Sequence, residues 1–221
     1  TKKLTYFIIP DNTTRVAALE AGDVDFVHSP LSPQDIERMK KDDRFVVKET
    51  NGLGFTYLNF NQKNDILSDK KVRQAIAHLI NKKSISKDIY QGMDKKGTSP
   101  IIPSSWAYSD KVTDYPYDPK KAVQLLNEAG WKDSDGDGIL DKNGKKLTIE
   151  LSTHTEDPNR IQAVEYLQHE WSSVGIDVKV TTTEWPTFSE RLMNNDFDIA
   201  LVGWLNLVDP DRAMYNQFHT N

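Results

Sequence analysis

The apolar positions of this chain fall into short runs separated by helical stripes, and their order spells out an alternating architecture. Residues 4–9, LTYFII, read as a strand. A short helix through Val16, Ala17 and Leu19 then stops at Gly22, and residues 24–27 read as a second strand. SPQD at 32–35 is a capping-box pattern with Pro33 at the first helical position, opening a polar helix that carries Ile36 and Met39. Residues 45–48 are strand-like again. This β-α-β-α-β succession has so little apolar helix face that it is too thin to close a core alone. The glycine-bearing turn at 51–54 changes the character, so we divide the chain there into a partial segment, 1–50, and a larger unit, 51–221.

Beyond that turn FTYLNF at 55–60 is strand-like, and Ser68 or Asp69 caps a helix whose Val72, Ala75, Ile76, Leu79 and Ile80 form one apolar stripe. A further helix over 84–90 ends at Gly92. Residues 93–117 hold Gly97, Pro100, Pro103 and Pro116 among Trp106, Tyr108, Tyr115 and Tyr117; a loop of that length with so many aromatics packs against something. Asp118-Pro119 starts a helix on Ala122, Leu125, Leu126 and Ala129, closed by Gly130. From Leu147 the alternation is regular: strand 147–152, helix from Asp157-Pro158 to Gly175, strand 176–182, helix 186–195, strand 197–202 ended by Gly203, and a helix after Pro210. That order predicts an α/β fold with a mainly parallel sheet flanked by helices and joined by right-handed crossovers. Three strand ends, at Thr153-His154, Glu184-Trp185 and Trp204 to Asp209, then emerge on one edge, where ligands gather in open sheets of this kind.

Composition narrows the function. The chain has 221 residues, a net charge of −5 and 37% hydrophobic content, with a pI near 5.6; no basic excess exists to neutralise phosphates, which argues against a nucleic-acid partner. Five lysine doublets are scattered and read as solvated surface. The absence of cysteine removes disulfides, zinc-thiolate sites and cysteine nucleophiles. No run approaches the roughly 20 apolar residues of a membrane span, and Thr1-Lys2-Lys3 leads straight into a strand pattern without a signal peptide.

The candidate chemistry is sparse. Asp133, Asp135, Asp137 and Gly138 match the first half of a calcium loop, with Asp141 at its ninth position, but Gly144 stands where a bidentate glutamate belongs, so a complete EF-hand is excluded. Two readings stand for DSDGDGILD: a turn built on Asp and Gly, and an incomplete calcium site. No G-x-S-x-G, H-E-x-x-H or Walker loop occurs. Of five histidines only His154 lies at a strand end, and Glu156-Asp157 reads as helix-start charge. Trp171, on an apolar helix face, is core. Trp185 and Trp204, placed in loops after strands, are candidates to stack on a ligand.

Several stretches together resemble the bacterial extracellular solute-binding proteins of the oligopeptide, dipeptide and nickel ABC-importer family. They are GDVDF at 22–26, FTYLNFN at 55–61, DKKVRQAIAHLINKKSI at 69–85, AVQLLNEAGW at 122–131 with the DGDGILD loop, VGIDVKV at 174–180, EWPTF at 184–188, and FDIALVGW at 197–204 followed by DPD at 209–211. The resemblance implies a periplasmic-binding-protein-like lobe of type II in a longer, two-lobed protein. Residues 1–50 would then be part of the first lobe, and 51–221 the second lobe, truncated before its return. It further implies an extended peptide held between lobes through its backbone, with Trp204, Trp185, Asn206, Asp209, His154, Thr153, Tyr57 and Asn59 as the ligand-binding set and no catalytic residue. The implied partners are the peptide and the permease subunits of an ABC transporter. The implied location is extracellular or periplasmic, with any membrane association through a lipid anchor outside this chain. One position departs from the pattern. Peptide binders of this kind carry an aspartate three residues after the loop tryptophan, pairing with the peptide amine; here it is Leu207. Asp209 is an alternative partner for that amine, and nickel chelate or an oligosaccharide are alternative ligands. An α/β hydrolase domain using His154 and a nearby carboxylate is the reading from another class.

Overall fold

Two capped helices open the chain in the computed structural model, which describes residues 2–28, 31–50, 52–103 and 105–204 with Asp209, Asp211, Met214 and Tyr215. α1 (Asn12–Ala21) starts where the Asp11 carboxylate accepts the Thr14 N–H at 2.7 Å, and it ends at Gly22, whose φ of 80° suits a residue without a Cβ. α2 (Pro33–Met39) follows Ser32, whose hydroxyl accepts the Asp35 N–H at 3.1 Å. The expected strands at 4–9, 24–27 and 45–48 do not form. Those residues run as irregular chain, with Leu4, Tyr6, Phe7, Ile8, Phe26 and Val46 exposed. A helix satisfies its own backbone, whereas a strand needs a neighbour's ladder, and among the described residues these three stretches meet none.

The rest is built on a four-stranded sheet. β1 (Phe55–Phe60) leads to α3 (Lys70–His78), capped by Asp69. The helix expected over 84–90 is one α-turn, α4 (Lys82–Ser84), continued as a π-helical turn over Ile85–Ile89. α5 (Pro119–Glu128) starts at the Asp118 cap. The acidic loop ends in a short hairpin of β2 (Asp141–Lys142) and β3 (Lys145–Lys146). The regular alternation follows: β4 (Thr148–His154), α6 (Pro158–Ser172), β5 (Asp177–Thr183), α7 (Trp185–Met193) and β6 (Ile199–Trp204).

The sheet order is β1-β6-β4-β5. β4 pairs in parallel with both β5 and β6, as the alternation predicted. β1 joins the far side of β6 antiparallel, with Phe55 opposite Trp204 and Phe60 opposite Ile199. Helices cover both faces, which explains the uninterrupted apolar run of β6. Ile199 and Leu201 enter the main core with β4, α3, α5 and α6, while Ala200 and Val202 pack on Phe188 of α7 and on Phe197. Trp171 is fully buried in the main core, as its helical spacing predicted.

Candidate functional site

Because β4, β5 and β6 run parallel, their carboxyl ends at His154, Thr183 and Trp204 share one edge of the sheet. Local capping chemistry furnishes that edge. Asp157 caps α6 by accepting the Asn159 N–H at 3.1 Å, and the first turn of the helix then carries Arg160 back over the strand ends. The Arg160 guanidinium donates from Nη1 to His154 Nε2 at 2.7 Å, and its Nε lies 3.2 Å from Asp157 Oδ2. A guanidinium can only donate, so His154 Nε2 accepts and the ring proton sits on Nδ1. From there it donates to Glu156 Oε2 at 2.9 Å. The other Glu156 oxygen accepts the Trp185 N–H at 2.8 Å. Burial alone would push the Glu156 carboxyl up, but the Trp185 N–H and His154 outweigh it and hold the carboxyl below the usual range.

Gly203 makes room for this arrangement. A Cβ built on it would stand 2.9 Å from the Arg160 guanidinium carbon and overlap Nη2 outright. The expected end of the strand at Gly203 is therefore a correction: β6 continues through Trp204, and the glycine serves as a seat for Arg160. Tyr90, packed against the main core, senses the same charges: its hydroxyl is pushed up to about 12 by burial and by the charge of Asp157.

The structure gathers some expected residues and assigns others to the framework. Trp185 is the first residue of α7, not of a loop. It is 46% exposed, and its ring meets His154 edge-on at 5.3 Å. Trp204 is half-buried and packs with Phe55, Ile102 and Met214. Thr153 is fully buried, its hydroxyl donating to the Leu201 carbonyl at 2.9 Å. Tyr57 and Asn59 are half-buried on β1, opposite Val202 and Ala200. Asp209 is exposed and accepts the Asp211 N–H at 3.0 Å, the cap role its position suggests. Asn206 and Leu207 lie outside the described residues, as does most of the helix expected after Pro210. Sequence reasoning missed Arg160, Gly203 and the second task of Glu156. The available signal was a glycine closing an otherwise apolar strand, with an arginine in the first turn after a neighbouring strand.

The acidic loop is a separate feature. Asp133, Asp135 and Asp141 bring carboxylate oxygens within 4.8 Å of one another, without Asp137. Asp133 accepts the N–H groups of Gly136 and Gly138 at 2.8 and 3.0 Å. Lys146 Nζ reaches Asp135 at 2.8 Å and Asp137 at 2.6 Å, and it holds the Asp137 carboxyl below its ordinary range. Three carboxylates could serve a hard cation, but the Lys146 ammonium already pairs with two of the four aspartates.

The mixed, mostly parallel sheet with helices on both faces is an α/β fold, and its solved neighbours are type II periplasmic binding proteins. The chain belongs to the bacterial extracellular solute-binding proteins of family 5, whose middle-region model matches residues 1–221. It is 36% identical over 222 residues to the oligopeptide-binding protein AppA of Bacillus subtilis, covering 99% of this chain and 40% of that protein. The structure of AppA in complex with a nonapeptide superposes with a TM-score of 0.89 at 35% identity, over 96% of this chain and 42% of that one. NikZ of Campylobacter jejuni, solved with Ni(L-His), gives 0.84 at 31% identity, over 94% and 40%. The chain thus spans about 40% of the length of AppA.

Proposed function

We propose that the chain is part of the substrate-binding component of an ABC importer, taking peptides between two lobes and handing them to the membrane permease. Residues 51–221 are the second lobe and residues 1–50 a contribution to the first. The protein works outside the cytoplasm, extracellular or periplasmic. The observation that carries this reading is the edge where Arg160, seated on Gly203 and braced by Asp157, meets the same His154 ring that the half-exposed Trp185 packs against. A fixed guanidinium suits a carboxylate, and an indole on the same edge suits an apolar side chain. A free peptide offers both. The site's charge also bears on the hydrolase alternative. His154 does contact a carboxylate, but its Nε2, where a nucleophile's hydroxyl would sit, is occupied by Arg160. That supports a binding protein without covalent chemistry. A metal chelate is the second reading, favoured by the likeness to NikZ, since chelating carboxylates present the same oxygens to Arg160.

Calorimetry on the full-length protein tests the assignment. Peptides with a free carboxyl terminus should bind, and Arg160→Gln should weaken them more than tenfold while changing amidated versions far less. Binding of a nickel chelate but of no peptide would move the assignment to the second reading, and binding of neither would sink both. The 221-residue chain alone should bind peptide weakly, and sub-micromolar binding by it would contradict the two-lobe capture.

A further inference from the structure

On the outer side of the π-helical turn lies a concavity of about 660 Å³, lined by Lys82, Lys83, Lys87 and Lys96 with Ser86 and Gln91. The local sequence builds it. The stretch 82–97 carries five lysines and two aspartates, in a chain whose net charge is −5. The apolar side of the turn, Ile85, Ile89 and Tyr90, packs into the main core, so the lysines are left on the solvent side. Gln91 and Gly92 both take positive φ, 50° and 76°. Two left-handed residues in succession reverse the chain and bring Lys96 back over the lysines of the helix. One carboxylate, Asp114, serves both Lys82 and Lys96, at 3.7 and 2.5 Å. Asp94 is taken by the Ser86 hydroxyl at 2.5 Å. Lys83 and Lys87, one helical turn apart, have no ion pair among the described residues.

We infer that this concavity is a binding site for a phosphate-bearing anion, separate from the peptide edge. Clustered ammonium groups raise the local concentration of anions even where net charge is negative. Lysine supplies compact, hydrated point charges on flexible stems, which suits repeated or mobile phosphates better than one planar carboxylate. A π-helical turn inside a helix is itself a frequent mark of a functional position. The phosphate can come from a soluble polyphosphate or from an anionic lipid headgroup, and the two are separable by experiment.

The full chain is titrated at low salt with inorganic tripolyphosphate in a calorimeter, and co-sedimented with vesicles of phosphatidylcholine alone or mixed with phosphatidylglycerol. Binding of tripolyphosphate assigns the soluble source; binding only of the mixed vesicles assigns the headgroup. The Lys83→Glu/Lys87→Glu double variant touches no ion pair described above and should lose at least tenfold in affinity. A second double variant, Lys120→Glu/Lys121→Glu on α5, makes the same change in net charge elsewhere and should bind as the parent does. Raising the salt should weaken binding steeply. Equal losses in the two double variants, or no binding of either probe, would overturn the site.

Discussion

Residues 2–50 and residues 55–204 share the same local grammar, yet only the second stretch becomes a sheet with a core. Both begin helices with a carboxylate or hydroxyl cap, Asp11 and Ser32 in one, Asp69, Asp118 and Asp157 in the other. Both contain strand-like apolar runs. In the first region these runs stay irregular and mostly exposed, only Arg15, Val16, Pro33 and Met39 of its described residues are buried, and the surface ion pairs such as Arg38 with Glu20 and Asp35 contribute little. In the second, β4 finds a parallel partner on each side, and Leu147, Ile149 and Leu151 are buried at 0–1% exposure. The difference teaches that a cap is a property of four residues, whereas a strand is a property of its neighbours.

Core truncation should separate the two regions most strongly. Leu151→Ala removes a fully buried side chain and should cost about 2–5 kcal/mol, whereas Phe7→Ser, at 65% exposure, should change stability by less than about 0.5 kcal/mol. Urea melts of both variants check this; a large loss in Phe7→Ser would show that the first region is packed after all.

The next effect isolates the edge. In Gly203→Ala the new methyl meets the Arg160 guanidinium, and overpacking of this kind costs about 1–3 kcal/mol. Peptide affinity should fall with it. If the variant instead keeps both its melting point and its affinity, Arg160 is not seated as described.

Smaller still is the titration of Glu156. Its carboxyl is held below the ordinary glutamate value of 4.5, so the stabilisation it provides is present above that value and is lost as pH falls through the depressed one. Between about pH 5 and pH 3 the melting temperature of the parent should therefore drop more steeply than that of Glu156→Gln, which has nothing to titrate there. Parallel curves would remove Glu156 from the network.

Least of all should be the response of the acidic loop to chelator. Besides the turns that Asp133 closes on Gly136 and Gly138, this loop is held by exposed ion pairs like those of the first region. Excess EDTA should shift the melting temperature by less than about 1 °C. Lys146→Met, which frees Asp135 and Asp137, should gain a measurable stabilisation from millimolar calcium. A large chelator effect on the parent would favour the cation reading of the loop.

What the sequence determined by itself follows from interactions that close within a few residues. The Asp-Pro starts at 118–119 and 157–158, the apolar stripes of α3 and α5, and the β-α-β-α-β order after Leu147 were all legible there. So was the edge at His154, Trp185 and Trp204, since parallel order alone puts alternate strand ends together. Tertiary structure decided what depends on partners distant in sequence. It alone pairs β1 with β6 across more than a hundred residues, leaves three strand-like runs without a ladder, and spends the Thr153 hydroxyl on Leu201. It also turns Gly203 from a strand breaker into the seat of Arg160, because whether a missing Cβ ends a strand or admits a guanidinium depends on what lies across from it.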